Sequence, residues 1–526
     1  MPQTVIICSS TMIVIIAIIG VLVLLLGRRV LGAKRRLPLP PGPPGEPLIG
    51  HLRVIPTEHP EIQYAQWAKE YNTDILHFRV LGRSIIVLNS IEAAHDLLDK
   101  RGANYADRPR FVLFEVMGWG VTLTFLRWSR RFRLHRKILQ TAFTQSACKV
   151  YQPIQTEEAC RAARAIIEDP NSWEILLRQF STAVVLRVGF GIEVEEKDDP
   201  YIKMTLDVEE ATGKGGVPAG NIVDFFPILR YLPNGLARSS ELFRPLIHAR
   251  STKKYILRLH DAPWEAVEPS IRAWGQAKVS FMRTHFGQYL ANEGTGTPNE
   301  GTVEDLKGLA GAIAIAGGNT TWFTIIVCIL GLLENPQALT KARGEMEDLI
   351  GIDENGDLLR RPSFEDRPQL KYLANVLHES TRWQPLSPLG VPHATLADDG
   401  YHIPAGSVIY PNVRAMSRDE RYYSSPEEFW PEKYQPLAEG GRGEPLPDGP
   451  FGFGRRKCPG EHLAMSGVYI MVATLLATMH VQCPTDENGN EIRPNIAFSD
   501  GLSGVPDHFG CRITPRSVRS MELLRD

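Results

Sequence analysis

The chain has 526 residues, of which 43% are hydrophobic and 22% charged, so it carries enough apolar material for a large core and is not a disordered chain. Its formal net charge of −2 argues against a nucleic-acid partner recruited by overall charge. The seven cysteines form no CxxC pair, which argues against a disulfide scaffold and suits a reduced, cytosol-facing protein.

The N-terminal segment predicts a membrane span. Thr4 to Leu26 is almost wholly apolar, and it is long enough to cross the ~30 Å hydrocarbon core as a helix. A cleaved signal peptide is the alternative, but the missing basic n-region favours a retained anchor at residues 1–27. The positive-inside rule then places the rest of the chain on the cytosolic side, because a basic cluster follows directly: Arg28, Arg29, Lys34, Arg35 and Arg36.

A stiff spacer follows the anchor. Residues 39–50, LPPGPPGEPLIG, cannot be helical because the prolines lack N–H donors and restrict the residues before them. We interpret residues 28–50 as a basic and proline-rich hinge. No later stretch looks like a flexible linker, so residues 51–526 are predicted to form one large domain.

The first patterns of the large domain are a hairpin and an apolar loop. Ile75 to Asn89 has two apolar runs around Leu81-Gly82-Arg83, and Ser90 is placed to cap a helix that begins at Ile91. Residues 105–126 are rich in large apolar side chains without clean periodicity, which indicates a loop-rich segment packed over something apolar. Helical patterns then dominate to about residue 290.

A Pro-punctuated apolar segment, residues 223–233, interrupts these helices. It predicts a loop that contacts the membrane or lines a channel, with an ordinary packed loop as the alternative. A basic run precedes them at residues 127–137, RWSRRFRLHRK, for which a solvated helix face is the default interpretation.

An uncharged stretch from Gly308 to Leu333 has the length of a second membrane span. A capping box at Thr302 and Asp305 precedes it, and Gly317 and Gly318 lie in its middle. Each glycine costs a helix about 1 kcal/mol relative to alanine, so something must offset the penalty. We therefore expect a functional helix inside the domain.

Two motifs follow towards the C-terminus. Glu379 and Arg382 form an ExxR pair one helical turn apart, which taken alone is an ordinary surface ion pair. Residues 451–460 read FGFGRRKCPG, a backbone that can fold tightly and hold a thiolate at a fixed height. We interpret this loop as an iron site, with a buried structural cysteine as the alternative.

The loop resembles the haem-binding signature FxxGxRxCxG of the cytochrome P-450 family, and it matches at every fixed position: Phe451, Gly454, Arg456, Cys458 and Gly460. The resemblance implies a mainly α fold with a smaller β region, preceded here by one N-terminal transmembrane helix. It implies haem b as the cofactor and the Cys458 thiolate as the iron ligand. Backbone amides of the turn would lower the pKa of this thiol, and Arg456 would pair with a haem propionate.

The resemblance also assigns residues outside the loop. Arg136 would carry charge to a propionate in the family's WxxxR helix, where Phe132 replaces the Trp and loses an indole N–H donor. The remaining basic residues of that helix would face an acidic electron-donor protein. His393 would lie near a propionate, with a satisfied surface histidine as the alternative. The full set implied to bind the cofactor is Cys458, Arg456, Arg136, Phe132, His393, Phe451, Gly452, Gly460 and Gly317.

The family's oxygen-binding motif A/G-G-x-D/E-T-T corresponds to residues 316–321, AGGNTT. The resemblance places Thr320 where a hydroxyl bonds the oxygen and relays protons, with back-bonding to the carbonyl one turn earlier as the alternative. Asn319 replaces the usual acid and cannot titrate. Proton delivery must then run through water, Thr320 or another group, so we predict Thr320 and Asn319 as the catalytic pair.

The same resemblance implies a structural role for the ExxR pair, because in the family this pair stabilises the core behind the haem. Its third partner is usually an Arg, and Lys433 replaces it here, which predicts a looser network. Leu386 and Leu389 after that helix are expected to face the pocket. The turn at 502–505 is expected to reach the substrate.

These features predict a membrane-anchored monooxygenase that inserts one atom of O2 into an apolar small molecule, a secondary metabolite or xenobiotic. Electrons would come from NADPH through NADPH-cytochrome P-450 reductase, with a small electron-donor haem protein as a second donor. The expected location is the endoplasmic reticulum membrane, single-pass, with a cytosolic catalytic domain. The alternatives are a haem-thiolate isomerase or dehydratase without a reductase, motivated by Asn319, and a non-enzymatic haem-binding membrane protein.

Overall fold

The structure is a computed structural model that describes residues 38–56, 58–194, 199–215, 219–273, 277–397 and 403–525. The predicted anchor at residues 1–27 lies outside these ranges, and so does the basic part of the hinge up to residue 37. The described part is mainly helical with two small sheets, which confirms the predicted mainly α fold with a smaller β region.

The helices are α1 Pro60–Glu70, α2 Ile91–Ala94, α3 Val112–Met117, α4 Arg130–Ala142, α5 Gln145–Cys148, α6 Gln152–Glu168, α7 Trp173–Phe190, α8 Pro200–Gly213, α9 Ile222–Phe225, α10 Asn234–Ala237, α11 Arg244–Arg272, α12 Phe281–Thr295, α13 Val303–Glu334, α14 Pro336–Ile350, α15 Lys371–Trp383, α16 Val413–Ser417, α17 Glu461–Thr478 and α18 Val518–Glu522. The strands are β1 Ile75–Val80, β2 Arg83–Leu88, β3 His393–Ala394, β4 Val408–Pro411, β5 Met479–Gln482 and β6 Arg512–Pro515.

The long helix α13 runs through the centre of the domain. Its N-terminus has the predicted capping box, since Thr302 Oγ1 accepts from Asp305 N at 3.2 Å and the Asp305 carboxylate accepts from Thr302 N at 2.9 Å. Among the described residues, α13 and α17 are the two helices long and apolar enough to cross a membrane. Most of each apolar window is buried inside the protein, so both are core helices.

Two glycines let α7 pack closely against α13. A Cβ at Gly317 would lie 2.5 Å from Val185 Cγ1, and a Cβ at Gly318 would lie 3.4 Å from Thr182 Oγ1. The close contact with α7 therefore accounts for the two poor helix formers in the middle of α13, because a larger residue at position 317 would push the two helices apart.

The main sheet has the order β1-β2-β4-β3, with β2 and β4 parallel and the other pairs antiparallel. The predicted hairpin is β1 and β2, joined at Leu81 and Gly82, which both have positive φ as a tight hairpin turn requires. Ser90 Oγ accepts from Ala93 N at 3.2 Å, so the predicted cap of α2 is confirmed. The described end of the hinge packs on this sheet, where His77 N donates to Pro41 O at 2.9 Å.

The basic helix α4 is tied to the start of α13. Arg131 Nε donates to Asp305 Oδ1 at 2.7 Å, and His135 Nε2 lies 3.0 Å from the same oxygen. His135 is completely buried, so only part of the basic run is the solvated face expected by default. This link joins the helix beside the Cys458 loop to the helix that carries Thr320.

Candidate active site

The loop before Cys458 is closed by backbone hydrogen bonds and tight turns. Cys458 N donates to Phe451 O at 2.7 Å. Gly452 and Gly454 have φ values of 76° and 52°, which side chains rarely allow. A Cβ at Gly454 would also lie 2.1 Å from Leu98 O. The glycine spacing read from the sequence is thus a steric requirement of this loop.

The Cys458 sulfur lies at the N-terminus of the 18-residue helix α17, for which Gly460 is the N-cap. Its side chain is open to a cleft although dense protein surrounds it on the other sides. Burial raises the pKa of the thiol, and the backbone N–H groups of Gly460 and Glu461 and the charge of Arg136 oppose that rise. These donors and the helix dipole favour a bound thiolate at this position.

Arg136 and Arg456 reach the cleft from two sides. The Arg136 Nη1 group donates to the Lys457 carbonyl, beside the cysteine. Arg456 Nε donates to Ala106 O at 2.7 Å, and its Cζ lies 3.6 Å from the centroid of the Phe132 ring. Its Nη2 is buried and has no hydrogen-bond partner among the described residues. Burial lowers the pKa of Arg456 to about 9, so an anionic group here would be well accommodated.

A second buried arginine was not predicted. Arg108 Nη1 donates to Val391 O at 2.6 Å and to Pro392 O at 2.9 Å. Burial and the charge of Arg456 hold its pKa well below the usual value. No motif marks this loop position in the sequence, because only the tertiary fold brings it to Arg456.

His393 lies in β3 beside these arginines. It is buried, with Nδ1 at 2.9 Å from Tyr105 O, so the alternative of a surface histidine is wrong. Burial and the charges of Arg108 and Arg456 hold its pKa well below the usual value, which favours the neutral imidazole.

These residues fit a haem. A cysteine sulfur with helix N-terminal donors suits the iron. The buried guanidinium of Arg108 and the partly buried one of Arg456, which has an orphaned N–H, suit the carboxylates at the edge of the porphyrin. The site therefore combines a soft anionic ligand with a cationic end.

Helix α13 packs against α17, the helix that begins beside Cys458, since a Cβ at Gly467 would lie 3.7 Å from Thr321 Cγ2. We call the open stretch of α13 at Ala316 and Thr320 the groove. Ala316 is exposed although it lies in the middle of a buried helix, and Thr320 Oγ1 donates to the Ala316 carbonyl at 2.7 Å. This is the back-bonded geometry that we considered as the alternative for Thr320. A side chain at Gly317 would point towards α7, so that residue has a clear packing role. Asn319 Oδ1 is buried with no hydrogen-bond partner among the described residues.

The ExxR pair is completely buried on α15. Arg382 Nε and Nη2 donate to the two Glu379 oxygens at 2.7 and 2.8 Å. Lys433 Nζ lies 3.3 Å from Glu379 Oε1, as the family pattern implies for its third partner. Tyr434 Oη donates to Glu379 Oε2 at 2.6 Å, and Trp430 N donates to Oε1 at 2.8 Å. The tyrosine was not predicted, although it directly follows Lys433.

The C-terminal turn reaches the segment after α15, where Gly504 N donates to Leu386 O at 2.8 Å. Leu386 and Leu389 are both half-buried. The turn and the segment with the two predicted pocket leucines are therefore adjacent.

Comparison with known proteins agrees with this site. The family model for cytochrome P-450 matches residues 40–500. Tryptamine 4-monooxygenase from Psilocybe cyanescens is 33% identical over 495 residues, covering 92% of this chain and 94% of the relative. The cytochrome P-450 monooxygenase ple1 from Rhodocybe pseudopiperita is 33% identical over 500 residues, covering 94% and 92%. Cytochrome P-450 monooxygenase 136 from Postia placenta is 32% identical over 503 residues, covering 93% and 91%.

A thiol at a helix N-terminus with arginine side chains beside it is the arrangement expected of a haem-thiolate protein. The chain belongs to the cytochrome P-450 family, whose members bind haem through a cysteine thiolate, and its relatives are monooxygenases. The predicted family, cofactor and enzyme class are thereby confirmed.

Proposed function

We propose that the enzyme inserts one oxygen atom from O2 into an apolar small molecule, using two electrons from NADPH delivered by NADPH-cytochrome P-450 reductase. In balance, a substrate C–H group, O2, NADPH and a proton give a hydroxylated product, water and NADP+. The haem supplies the oxygen chemistry when bound. The observation that carries this proposal is the Cys458 sulfur at the N-terminus of α17, with donors from Gly460 and Glu461.

The chain's own residues hold the cofactor and manage charge. Cys458 is the iron ligand, and Arg136 helps keep its sulfur anionic. Arg456 and Arg108 hold the propionates, with neutral His393 beside them. On the other side, Thr320 presents a hydroxyl at the groove beside Ala316. Phe451, Gly452 and Gly454 shape the loop so that the sulfur stays at a fixed height.

An apolar cluster next to the groove is the proposed substrate pocket. Phe111, Phe114 and Phe125 pack with ring centroids 4.8 to 6.3 Å apart. Ile315, which precedes Ala316, and Val391 lie against the same cluster. Such a lining excludes water and favours an apolar substrate over a charged one. The name of the tryptamine 4-monooxygenase relative makes tryptamine one compound to test, since its indole ring is apolar although its amine is charged at neutral pH.

The surface behind Cys458 suits an acidic electron donor. Arg130, Arg133 and Arg455 are exposed there, and the last two lie over the Trp128 ring at 5.7 and 5.5 Å. A reductase or a small haem protein with an acidic face would be steered to this patch. This basic patch and the apolar N-terminal segment of the sequence together support a single-pass protein of the endoplasmic reticulum membrane with a cytosolic catalytic domain.

The test is a carbon monoxide difference spectrum of the reduced full-length protein. We expect a thiolate-type Soret band that is lost in Cys458→Ala and kept in Cys148→Ala, a buried cysteine on α5. Absence of that band in the parent would overturn the proposal.

A screen for ligand-induced shifts of the haem spectrum, including tryptamine, then selects compounds for turnover. We expect product only with O2, NADPH and reductase. Turnover under strict anaerobiosis without NADPH would instead support an isomerase or dehydratase, and binding without any NADPH consumption would support a non-enzymatic role.

A further inference from the structure

Two buried acceptor oxygens near the centre of α13 have no donor. Among the described residues, nothing donates a hydrogen bond to Asn319 Oδ1 or to Glu209 Oε1. A buried acceptor without a partner costs about 1–3 kcal/mol, and in native proteins ordered water usually supplies the missing bond. Each of the two orphaned oxygens therefore marks a position where a water is needed.

Contacts between three helices place Glu209 beside this part of α13. At one level, a Cβ at Gly318 would lie 3.4 Å from Thr182 Oγ1 of α7 and 3.9 Å from Thr205 Cγ2 of α8. One turn along α8, the Glu209 carboxylate contacts Arg178 Nη1 at 3.3 Å. The Arg178 guanidinium in turn lies 3.8 Å from the Trp322 ring centroid, one turn further along α13.

Asn319 lies between α8 and the groove. Successive residues of an α-helix are rotated by about 100° around the axis. Gly318 faces the contact with α7 and α8, and Thr320 lies with Ala316 at the groove. From this rotation we infer that the Asn319 side chain leaves α13 on the arc between the contact with α8 and the Thr320 hydroxyl. When Glu209 is protonated, a water there would accept from its carboxyl and donate one hydrogen to Asn319 Oδ1, which leaves the second hydrogen for the Thr320 hydroxyl. When Glu209 is ionised, the water would donate to the carboxylate instead.

We propose that Glu209 holds the proton that reaches the groove through water at Asn319 and through the Thr320 hydroxyl, in place of the acid that position 319 lacks. The proposal rests on the proposed monooxygenase function, which consumes protons as O2 is reduced. Glu209 does not contact the reacting atoms and acts through the water and Thr320. It is therefore a positioning residue and not a catalytic residue.

The proton balance of this path is simple. The Glu209 carboxyl releases a proton to the water and remains as a carboxylate beside Arg178. Thr320 passes its own hydroxyl proton to the groove and regains one from the water. The Glu209 side chain keeps 17% of its surface exposed, so solvent can return the proton. No covalent bond to the protein forms or breaks.

The electrostatics of the site agree with this role. Burial raises the pKa of Glu209 to about 7, although Arg178 opposes the rise, so both protonation states are available near neutral pH. Few other charges face it from the packed helices. On α11, His248 Nε2 lies 2.8 Å from the carbonyl oxygen of Ala211, which is two residues after Glu209 on α8. Helix α13 has no charged residue between 308 and 333.

The first test is infrared spectroscopy of the full-length haem-loaded protein and of the haem-free protein. We expect a protonated-carboxyl band that fades as pH rises through about 7 and is lost in Glu209→Gln. The matched control is Glu210→Gln, because Glu210 is the next residue on α8 and its carboxylate pairs with Lys214 on the surface. A band unchanged in Glu209→Gln would overturn the proposal, whatever the fate of the proposed reaction.

The second test measures product per NADPH and hydrogen peroxide release with the compound that the parent enzyme oxidises best. In Glu209→Gln we expect coupling to fall by at least ~10-fold, with more peroxide, while Glu210→Gln stays within about twofold of the parent. Glu209→Gln/Asn319→Asp is expected to recover most of the coupling, because an acid then stands at the groove. Unchanged coupling in Glu209→Gln, or no recovery in the double variant, would overturn the proposal.

Removing Glu209 leaves Arg178 without its carboxylate, which could impair folding. Arg178→Gln/Glu209→Gln avoids the unpaired charge and is expected to show the same loss of coupling and of the infrared band. A parent enzyme that binds haem but never oxidises a substrate would contradict the proposed function alone, since the infrared result does not depend on turnover.

Discussion

The Arg456 guanidinium lies over the face of the Phe132 ring, with 3.6 Å between its Cζ and the ring centroid. Judged from the sequence, Phe132 costs the site one hydrogen-bond donor, because it lacks the indole N–H that the family's Trp offers. In the structure the same ring packs against the Arg456 guanidinium, and Arg456 Nε donates a hydrogen bond to the Ala106 carbonyl. A cation over a desolvated ring is stabilised by about 2 kcal/mol. Phe132 and the Ala106 carbonyl therefore orient Arg456 and leave its buried Nη2 free to donate to another group.

The first prediction follows from this stack. Phe132→Leu should lower haem affinity by about 10–30-fold, since about 2 kcal/mol of support for Arg456 is lost and each 1.4 kcal/mol is tenfold. Phe132→Trp should retain haem at least as well as the parent. The measurement is the rate of haem transfer from the ferric enzyme to an excess of a haem-free acceptor protein.

A control for general destabilisation is Phe143→Leu. Phe143 is equally buried after α4 but stacks on Phe281, away from the cleft. Its replacement should cost stability without changing haem transfer. Equal transfer rates in the Phe132 and Phe143 variants would show that the stack on Arg456 has no part in holding haem.

The second prediction concerns the buried ExxR network. Tyr434→Phe should lower the free energy of unfolding by about 1.5–3 kcal/mol, because a hydrogen bond of 2.6 Å to a buried carboxylate is lost. Urea titration followed by the reduced carbon monoxide band measures this loss. Tyr423→Phe is the matched control, since its ring lies 5.5 Å from Arg382 Cζ but its hydroxyl does not contact Glu379. If both variants lose equally, Tyr434 has no special role in the network.

The sequence allowed the Cys458 loop, the capping box at Thr302, the hairpin and the ExxR pair to be predicted, because each depends on neighbours within a few residues. Arg108 and Tyr434 were not predicted. The partners of Arg108 are remote in the chain, and Tyr434 belongs to no motif that was recognised in the sequence. The contact of Gly317 with α7 was not predicted, because spacing alone cannot tell which side of a helix meets a neighbour, and its place beside the cofactor stays a prediction. Glu209 was not predicted, because what singles it out is a buried oxygen without a hydrogen-bond partner, which only the tertiary structure shows.

The third prediction tests the packing role of Gly317. Gly317→Ala should destabilise the protein by about 1–3 kcal/mol despite the better helix propensity of alanine, because the new methyl group would lie 2.5 Å from the stiff Val185 side chain. The cost should shrink in a Val185→Ala background, which a double-mutant cycle measures. Gly344→Ala on α14 is the control, since nothing lies within 4 Å of its Cβ position, and it should stabilise by up to about 1 kcal/mol.

The haem spectrum should be unchanged in Gly317→Ala, because the methyl group points to α7 and not to the groove. A shifted Soret band with little loss of stability would contradict this assignment and return Gly317 to the cofactor side.

The fourth prediction concerns stability and pH. Burial raises the pKa of Glu209 from 4.5 to about 7 in the folded protein, so the folded state binds its proton more tightly than the unfolded chain. The contribution of this group to the free energy of unfolding is therefore fully present below about pH 4.5, declines as pH rises towards about 7, and is then lost.

Glu209→Gln has no such titration. Its unfolding temperature minus that of the parent should increase across this interval and level off above about pH 7. Calorimetry or thermal unfolding at several pH values measures the difference, and Glu210→Gln, whose parent carboxylate is exposed and has its pKa lowered by Lys214, should show no such increase. A constant difference between Glu209→Gln and the parent from acid to neutral pH would mean that folding does not raise the pKa of Glu209, so that the group is ionised near neutral pH and holds no proton to deliver.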